Sequence, residues 1–409
     1  LAGLDAEIQA AEPYLRAFLA VDPGDAAIAG MDASARRFAT FEALKRLMLG
    51  IAAQQPLVVL IEDLHWIDPA SEEYLTYIVD AVAGARVLLL CTFRPGYRPA
   101  LGDRSYFNRV ALQPLPANEA AALAAAMLEA PEIPAEIHAL IAGKAEGNPF
   151  FIEEITKSLL EIGALRRTAE GYALGRPVSE IVIPNTIQDV IMARIDRLGD
   201  EPKRAMQIAS VIGREFAVRL LQRSSESGDS VNALVGELRA LELIYEKTGV
   251  PELAYMFKHA LTHDVAYESL LVQRRKQLHR IIGLAIEDLY TDRLAEYWET
   301  LAHHFHRAED WPRAFEYLVK AADKARGAFA NGEAVYFYDR ALEAATHLDI
   351  TPQQRAGICE SKGQVHFCRS EFPEAIDAYR RAFTAVTTDA DRARLNAALS
   401  EALVWAHEN

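Results

Sequence analysis

Two adjacent carboxylates, Glu62 and Asp63, come directly after a short run of branched apolar residues, Leu57 to Ile61. An unbroken apolar run of this length, bounded by Pro56 and by acids, predicts a strand buried on both faces of a parallel sheet. Open α/β sheets bind their ligands outside the carboxyl ends of the strands. Carboxylate oxygens there could hold a hard dication such as Mg²⁺, and a second acid could orient or deprotonate a water molecule. The alternative is that the pair only ends a strand and begins a polar loop.

The residues around this pair form a longer string, QPLVVLIEDLHWIDPA, that ends at Pro69 and Ala70. The string resembles the Walker B region of the STAND family of signalling ATPases. The likeness is to the bacterial branch found beside class III adenylate cyclase domains and LuxR-type regulators. This resemblance implies that Glu62 takes the metal position, through a water molecule because Glu is longer than Asp. It also implies that Asp63 is the catalytic acid and a second metal-site residue.

A second apolar run, residues 86–92, predicts another buried strand, which includes Cys91 and ends at Thr92. In the STAND family the strand after Walker B ends in a polar residue and an Arg that can contact the terminal phosphate. Thr92 and Arg94 match that pattern, so the resemblance implies a nucleotide contact for Thr92 and a catalytic role for Arg94. The alternative for Arg94 is a solvent-facing side chain in the turn before Pro95.

A phosphate-binding loop of the form G-x-x-x-x-G-K-[ST] occurs nowhere in the sequence. In the STAND family this Walker A loop follows the first strand, upstream of the Walker B strand. Two explanations stay open: the sequence begins after the loop, in keeping with a first residue other than Met, or the protein has lost it. In either case we expect this chain by itself not to hydrolyse ATP.

Length and charge restrict the classes of protein. A chain of 409 residues predicts two to four compact units. A net charge of −15 argues against a surface devoted to nucleic-acid phosphates. The three cysteines have no metal-ligand spacing, which favours a reduced, cytoplasmic chain. No apolar run approaches the roughly 18 residues that span a bilayer, and the first residues do not resemble a signal peptide, so we expect no membrane partner.

Residues 114–162 predict helices, interrupted at Gly147 and Asn148 before Pro149 and Phe150. In the STAND family a Gly-x-Pro element of a small helical lid places its proline against the adenine ring. The string continues as FFIEE, which resembles the bacterial branch and implies that role for Pro149. The alternative is a proline at the first position of a helix, which needs no ligand, and both can hold together.

The next segment combines helices and hairpins. Residues 164–174 predict a hairpin around Glu170, residues 183–198, 203–212 and 231–241 predict helices, and residues 243–257 predict two strands around a turn at 248–251. Helices followed by a hairpin favour a winged helix. Its candidate recognition helix, 231–241, offers mainly Asn232, Arg239 and Glu237, which is a poor surface for reading DNA bases.

The STAND resemblance implies instead that the winged helix packs on the nucleotide module. Some members present a winged-helix His to the β-phosphate of ADP, and His259 is the matching candidate. The alternative is an ordinary structural histidine. The basic run from Arg274 to Arg280, which includes His279, predicts a solvated helix face.

The remainder of the chain predicts helices with a recurring pattern of small residues. Helices are expected to begin near Trp311, Gly332 and Phe372. Each carries an Ala two or three residues later, an aromatic residue or Leu four residues after that, and then a further Ala (Ala314, Ala334, Ala375; Leu318, Tyr338, Tyr379; Ala321, Ala341, Ala382). This spacing resembles stacked tetratricopeptide helices, which leave a concave surface for partners. An irregular helical bundle is the alternative.

Together these patterns predict a multidomain α/β plus α chain. The expected order is a partial P-loop NTPase parallel sheet (1–113), a helical lid (114–165), a winged helix (166–265) and an all-α tetratricopeptide-like superhelix (266–409). The resemblance implies a regulatory module attached to a class III adenylate or guanylate cyclase. We expect it to bind ATP or ADP with Mg²⁺, to bind a protein or small-molecule inducer on the array, and to self-associate. A LuxR-type regulator, a kinase fusion and a tetratricopeptide scaffold with a vestigial ATPase half stay open.

Overall fold

The computed structural model describes residues 9–19, 28, 31–102, 104–130, 133–168, 171–177, 180–226, 228–248 and 252–408. In that part the chain is mostly helical with three small sheets, in keeping with the predicted α/β plus α class. It divides into two compact units. One joins Leu1–Val110 with Ala322–Asp339 and Thr351–Asn409, and the other joins Ala111–Ala321 with Arg340–Ile350. The second unit runs through positions 165 and 265, so the four predicted domains stay predictions.

The first unit begins with helices α1 (Glu12–Phe18) and α2 (Ala33–Gln54). Asp32 caps the start of helix α2, because its carboxylate accepts a hydrogen bond from the N–H of Ala35 at 2.9 Å. Leu15 packs against Ala43 and holds α1 on α2. Glu170 and residues 249–251, in the two predicted hairpin turns, lie outside the described residues.

A pair of parallel strands follows, β1 (Leu57–Ile61) and β2 (Val87–Cys91), connected through helix α3 (Pro69–Val82). The strands pair level, from Leu57 opposite Val87 to Ile61 opposite Cys91. One face packs on Leu64, Leu75 and Ile78 of the loop and α3. The two strands and their parallel pairing agree with the sequence prediction.

The prediction that both faces of these strands are buried was wrong. On the second face the apolar side chains are between 44% and 60% exposed, namely those of Val58, Leu60, Leu88 and Leu90. The physical reason is that the packed helix covers one face of a two-stranded sheet. In the described part of the chain, helix packing covers only alternate residues of each strand, although the apolar run is continuous in sequence.

The second unit opens with helices α4 (Ala117–Met127), α5 (Ala135–Ala145) and α6 (Pro149–Glu161), followed by the hairpin of β3 (Leu165–Thr168) and β4 (Gly171–Leu174). The core of this part is apolar and fully buried, with Ile137, Ile141, Ile152, Ile155 and Leu159 at its centre. The predicted helices and hairpin are confirmed.

Helices α7 (Ile187–Asp196), α8 (Asp200–Ile212), α9 (Val218–Ser224), α10 (Val231–Ala240) and α11 (Ala260–Glu268) come next. Strands β5 (Glu215–Ala217), β6 (Ile244–Lys247) and β7 (Ala254–Phe257) form an antiparallel sheet in the order β5-β7-β6. Helix α7 begins later than predicted because Thr186 caps it, accepting from the N–H of Asp189 at 3.1 Å. Strand β5 was not predicted.

The chain continues as helices α12 (Val272–Leu289), α13 (Trp298–Arg307), α14 (Trp311–Gly327), α15 (Asn331–Ala344), α16 (Pro352–Cys368), α17 (Phe372–Ala385) and α18 (Asp389–Glu408). Short 3₁₀ turns are Leu64–Trp66, Gly228–Ser230, Thr291–Tyr297 and Ala345–His347. The predicted starts of α14, α15 and α17 are confirmed to within a residue. The nine predicted small and aromatic anchors are all buried, and none is more than 3% exposed.

Candidate functional site

The carboxyl ends of β1 and β2 lie side by side, so Glu62 and Thr92 leave the sheet as neighbours. Thr92 joins the two strand ends through three hydrogen bonds. Its N–H donates to the carbonyl of Ile61 at 2.9 Å, and its own carbonyl accepts from the N–H of Leu64 at 2.8 Å. Its hydroxyl accepts from the N–H of Asp63 at 3.0 Å. Thr92 therefore fixes the loop that carries the two predicted acids.

Asp63 adopts a left-handed backbone conformation, with φ 54° and ψ 41°. Non-glycine residues are uncommon there, and Asp is one of the few that tolerate it. The conformation turns the chain sharply after Glu62, whose side chain is exposed and has no hydrogen bond or ion pair with any described residue. The turn keeps both residues at the carboxyl edge of the strand pair.

Arg94 lies two residues beyond Thr92, in the turn closed by a hydrogen bond from the N–H of Tyr97 to the Arg94 carbonyl at 3.3 Å. Its side chain is exposed and, within the described part of the chain, makes no hydrogen bond or ion pair. Glu62, Asp63, Thr92 and Arg94 thus follow two adjacent strand ends. The arrangement places two acids, a hydroxyl and a cation at one edge of the sheet.

The rest of the string has its own local structure. Leu64 is buried, Trp66 is 75% exposed, and Asp68 caps α3 by accepting from the N–H groups of Ala70 and Ser71 at 3.0 and 2.9 Å. Partial burial raises the pKa of Asp68, but the hydrogen bonds from Ser71 and Ala70 outweigh it and hold that pKa below its usual value.

His65 lies in the 3₁₀ turn after Asp63. Both of its ring nitrogens are buried, and neither has a hydrogen-bond partner among the described residues. Buried polar atoms without a partner are uncommon and call for an explanation. His65 is therefore the polar residue at this edge whose hydrogen bonds the described residues do not supply.

No group of three or more His, Cys, Asp or Glu side chains in the described residues could hold a metal ion by itself. Mg²⁺ in nucleotide sites is bound differently, by one or two carboxylates together with phosphate oxygens and waters. Glu62 and Asp63 fit that smaller set of donors. The edge could accept a metal that arrives with a phosphate.

The predicted lid residue Pro149 is at the first position of α6, which Asn148 caps by accepting from the N–H groups of Phe150 and Phe151 at 3.0 and 3.2 Å. Gly147, the residue before Asn148, has φ +74°, and a Cβ at Gly147 would lie 2.4 Å from the Leu115 carbonyl oxygen. The structure therefore supports the helix-start explanation of Pro149. That explanation leaves a ligand contact open.

His259 is the residue before α11, and its ring centroid lies 3.9 Å from that of Phe150. Its Nε2 is 3.9 Å from a Glu153 oxygen, is buried, and has no hydrogen bond in the described residues. Burial lowers the pKa of His259, with Glu153 acting in the opposite direction. The two residues predicted from separate motifs, Pro149 and His259, are thus associated with the same end of α6.

Glu153 also belongs to a charge network that sequence analysis missed. The Lys157 ammonium lies 2.6 Å from both Glu153 and Glu242, and the Lys258 ammonium lies 2.7 and 2.9 Å from the same two acids. The hydrogen bonds from Lys157 and Lys258 lower the pKa of Glu242 to about 2. This network connects α6 to the end of α10 and the start of α11.

A second missed feature is the buried Arg194 on α7. Its guanidinium donates to Glu154 at 2.7 Å, to Glu161 at 2.8 Å and to the Leu241 carbonyl at 3.1 Å. Arg194 is 4% exposed and Glu154 3%. The helical period contained the signal, because Arg194 lies seven residues after Ile187, on the apolar face that includes Ile191 and Ile195.

Comparisons with known proteins give three similarities. A family described as a domain of unknown function, DUF8739, matches residues 116–168, which run from the start of α4 to the end of β3. An uncharacterised protein of Rhizobium meliloti (strain 1021) is 27% identical over 334 residues. That alignment takes 76% of this chain and 30% of the relative, so the chain spans less than a third of the relative's length.

The third similarity is to a crystal structure from Pyrococcus horikoshii, described as a Signal Transduction ATPase with Numerous Domains (STAND) protein with a tetratricopeptide repeat sensor. The structural alignment covers 92% of this chain and 68% of that one, at 12% identity and a TM-score of 0.41.

In the described residues no helix is long and apolar enough to cross a membrane.

Proposed function

We propose that this chain is a regulatory module of a nucleotide-dependent signalling ATPase of the STAND kind. ATP or ADP would bind, with Mg²⁺, at the carboxyl edge of the β1 and β2 pair. One observation carries the proposal: the two parallel strands end level and place Glu62, Asp63 and Thr92 on one edge, where open α/β sheets bind ligands. The motif resemblance supplies the family.

Each residue at this edge has a proposed role. Glu62 would hold the metal through a water molecule, and Asp63 would orient the attacking water in a turn that Thr92 fixes. Arg94 and the Thr92 hydroxyl would contact the terminal phosphate. Bound Mg²⁺ would neutralise phosphate charge. In the second unit, Pro149 and His259 would have the roles that the resemblance implies, contacts with adenine and with a phosphate.

We propose that nucleotide and partner binding shift the module between a closed and an open state. A protein or small-molecule inducer would bind the helical array, and the open state would self-associate. A cyclase domain as output, and LuxR-type output as its alternative, rest on the resemblance of the motifs alone. The acidic net charge makes nucleic acid a less suitable direct partner for this chain.

The test is calorimetry with ATP and ADP, on this chain and on the same reading frame extended upstream. Each form is compared with its Glu62→Gln and Asp63→Asn variants. Binding that both variants weaken, Glu62→Gln more than Asp63→Asn, supports the assigned roles. Binding that neither variant changes would remove the nucleotide from this edge.

A second candidate is a tetratricopeptide scaffold without nucleotide, which shares with the first the buried anchors of α14, α15 and α17. It predicts no heat of ATP or ADP binding for either form of the protein. Pull-down with the isolated chain would then be the experiment that identifies its function.

A further inference from the structure

Helices α12 and α13 border a surface groove in the second unit, with a cavity volume of about 270 Å³. One face of α12 contributes residues at helical spacing, and the end of α13 and the turn after it contribute the opposite wall. The lining residues are Tyr267, Val272, Arg275, Lys276, His279, His306, Arg307, Glu309 and Trp311. The groove contains none of the residues assigned to the nucleotide.

The groove carries an excess of positive charge. Three cations, Arg275, Lys276 and Arg307, line it with one carboxylate, Glu309, in a chain whose net charge is −15. Lys276 and Glu309 pair at 2.6 Å. Arg307 is exposed and makes no hydrogen bond or ion pair with the described residues. Two positive charges therefore remain for a ligand.

Arg275 is held in place before any ligand binds. Its Nε donates to the Leu270 carbonyl at 2.8 Å and one Nη to the Glu268 carbonyl at 3.0 Å. Its guanidinium carbon lies 4.9 Å from the centre of the Tyr267 ring. Three further N–H bonds of the fork remain available, because a guanidinium has five. A preorganised arginine suits the oxygens of a phosphate.

His279 forms the buried floor of the groove. His279 is 2% exposed, and burial, then His303, Arg307 and Arg275, lower its pKa to about 3. Of these neighbours, Arg307 and Arg275 carry a fixed positive charge. An excess of positive charge in a surface concavity attracts anions.

His279 connects the groove to the interior. Its Nε2 lies 3.0 Å from the Tyr267 hydroxyl, and its Nδ1 lies 2.9 Å from Nδ1 of the buried His304. One histidine must donate and the other accept between those two nitrogens. The proton positions in this series of hydrogen bonds depend on whether the Tyr267 hydroxyl donates to His279 or to another acceptor. Where Tyr267 donates to His279 in the free protein, an acceptor in the groove that takes the Tyr267 proton would reverse the tautomers of both histidines.

We propose that this groove binds a small phosphate monoester, with the phosphate on Arg275, Lys276 and Arg307 and the organic part beside Trp311. A monoester carries a charge of about −1.5 to −2 at neutral pH, which matches the charge excess of the groove. At about 270 Å³ the cavity lies just below the roughly 300–1,000 Å³ typical of small-molecule sites, which favours a ligand smaller than a nucleotide. The inference does not rest on the proposed nucleotide site.

The test is calorimetry with inorganic phosphate and glycerol 3-phosphate at constant ionic strength. We expect saturable binding of both probes, weakened at least fivefold by Arg307→Gln and abolished by Arg307→Glu. The matched control is Arg381→Gln, which removes one exposed arginine elsewhere and should leave the affinity within twofold. Absence of saturable binding, or equal weakening by Arg381→Gln, overturns the proposal.

A second readout locates the site. Histidine ¹⁵N spectra of the whole chain should show the signals of His279 and His304 moving with phosphate in the original chain and not in Arg307→Glu. Binding without movement of those signals would place the anion elsewhere and overturn the assignment. Glu62→Gln should keep phosphate binding, which separates failure here from failure of the nucleotide proposal.

Discussion

Replacing Arg194 by Met should destabilise the second unit by about 3 kcal/mol. Removing one partner of a buried ion pair costs about 3–5 kcal/mol, because an uncompensated charge stays behind in the interior. Glu154 is 3% exposed and would lose the guanidinium that now lies 2.7 Å away. Glu161 is about a quarter exposed and can regain water, which favours the lower end of the range.

The double variant Arg194→Met with Glu154→Met distinguishes the cost of an unpaired buried charge from the cost of lost packing contacts. With both charges gone and apolar volume in their place, the cost should fall to within about 1 kcal/mol of the original chain. The control Arg197→Met removes a cation from the same helix end that is 36% exposed and hydrogen-bonded to Ser158 and Glu161. An exposed pair of that kind contributes about 0–1 kcal/mol.

The assay is hydrogen exchange of the amides in α6 and α7, read as a free energy of opening, with urea unfolding of the same variants. If Arg194→Met lowers the opening free energy by less than about 1 kcal/mol, the ion pairs of Arg194 do not stabilise the packing of α6 against α7. If the double variant is as unstable as the single one, the cost comes from packing and the charge argument is wrong.

Three further predictions concern the remaining parts of the chain. Because burial lowers the pKa of His279 from 6.5 to about 3, the unfolded chain binds more protons below pH 6.5. The stabilising contribution of neutral His279 should be complete above pH 6.5 and decline towards pH 3 by up to about 1.4 kcal/mol per pH unit. In urea unfolding, His279→Gln should remove that share of the pH slope of the unfolding free energy, while the share of the buried His304, whose pKa is also lowered by burial, remains. Gly363→Ala should cost about 1–3 kcal/mol in thermal unfolding, because a Cβ would lie 2.6 Å from the Tyr379 ring, whereas Gly357→Ala on the same helix meets nothing within 4 Å and should stabilise by about 0.5–1 kcal/mol. Asp68→Ala should cost about 1 kcal/mol by circular dichroism, since the capped helix loses an acceptor of two N–H bonds, while Asp68→Asn should retain most of it.

Local pattern was sufficient to predict the helices of the array and the strand pair. The burial of Ala314, Tyr338 and Ala382 follows from one side of a helix having to approach its neighbours closely, and that requirement is contained in the spacing of small residues. The position of Glu62 and Asp63 after a strand followed from the end of an apolar run. These features are encoded in local sequence pattern, although the strand pair itself joins distant positions such as Leu57 and Val87.

Features that depend on which surface is covered were not predictable. Val58 and Leu90 lie on the face of the strand pair that the described helices leave exposed. A continuous apolar run does not distinguish the covered face of a strand from the exposed one. The basic run on α12 was predicted to be a solvated face, which was wrong for His279. Its ring is buried because α13 packs on that side, where Gly283 lets Phe305 approach closely.

Strand β5 shows a limit of another kind. Glu215–Ala217 has only three residues, too few to show an alternating pattern, and it exists because β7 offers it a partner. The Arg194 cluster was detectable in principle, since the arginine occupies the apolar face of its helix. Its acidic partners, forty and thirty-three residues earlier in the chain, could not be identified without the fold.

The apolar strand Leu57–Ile61 also affects the risk that the chain aggregates while it is being synthesised. Until β2 and the intervening α3 have emerged, this five-residue stretch of β-formers has no partner and is the kind of segment that aggregates. Pro56 on one side and Glu62 with Asp63 on the other are residues that act as gatekeepers against such association. The same carboxylates that are proposed to serve the nucleotide would then protect solubility. Variants at Glu62 and Asp63 should therefore be compared by yield of soluble protein before their binding is compared.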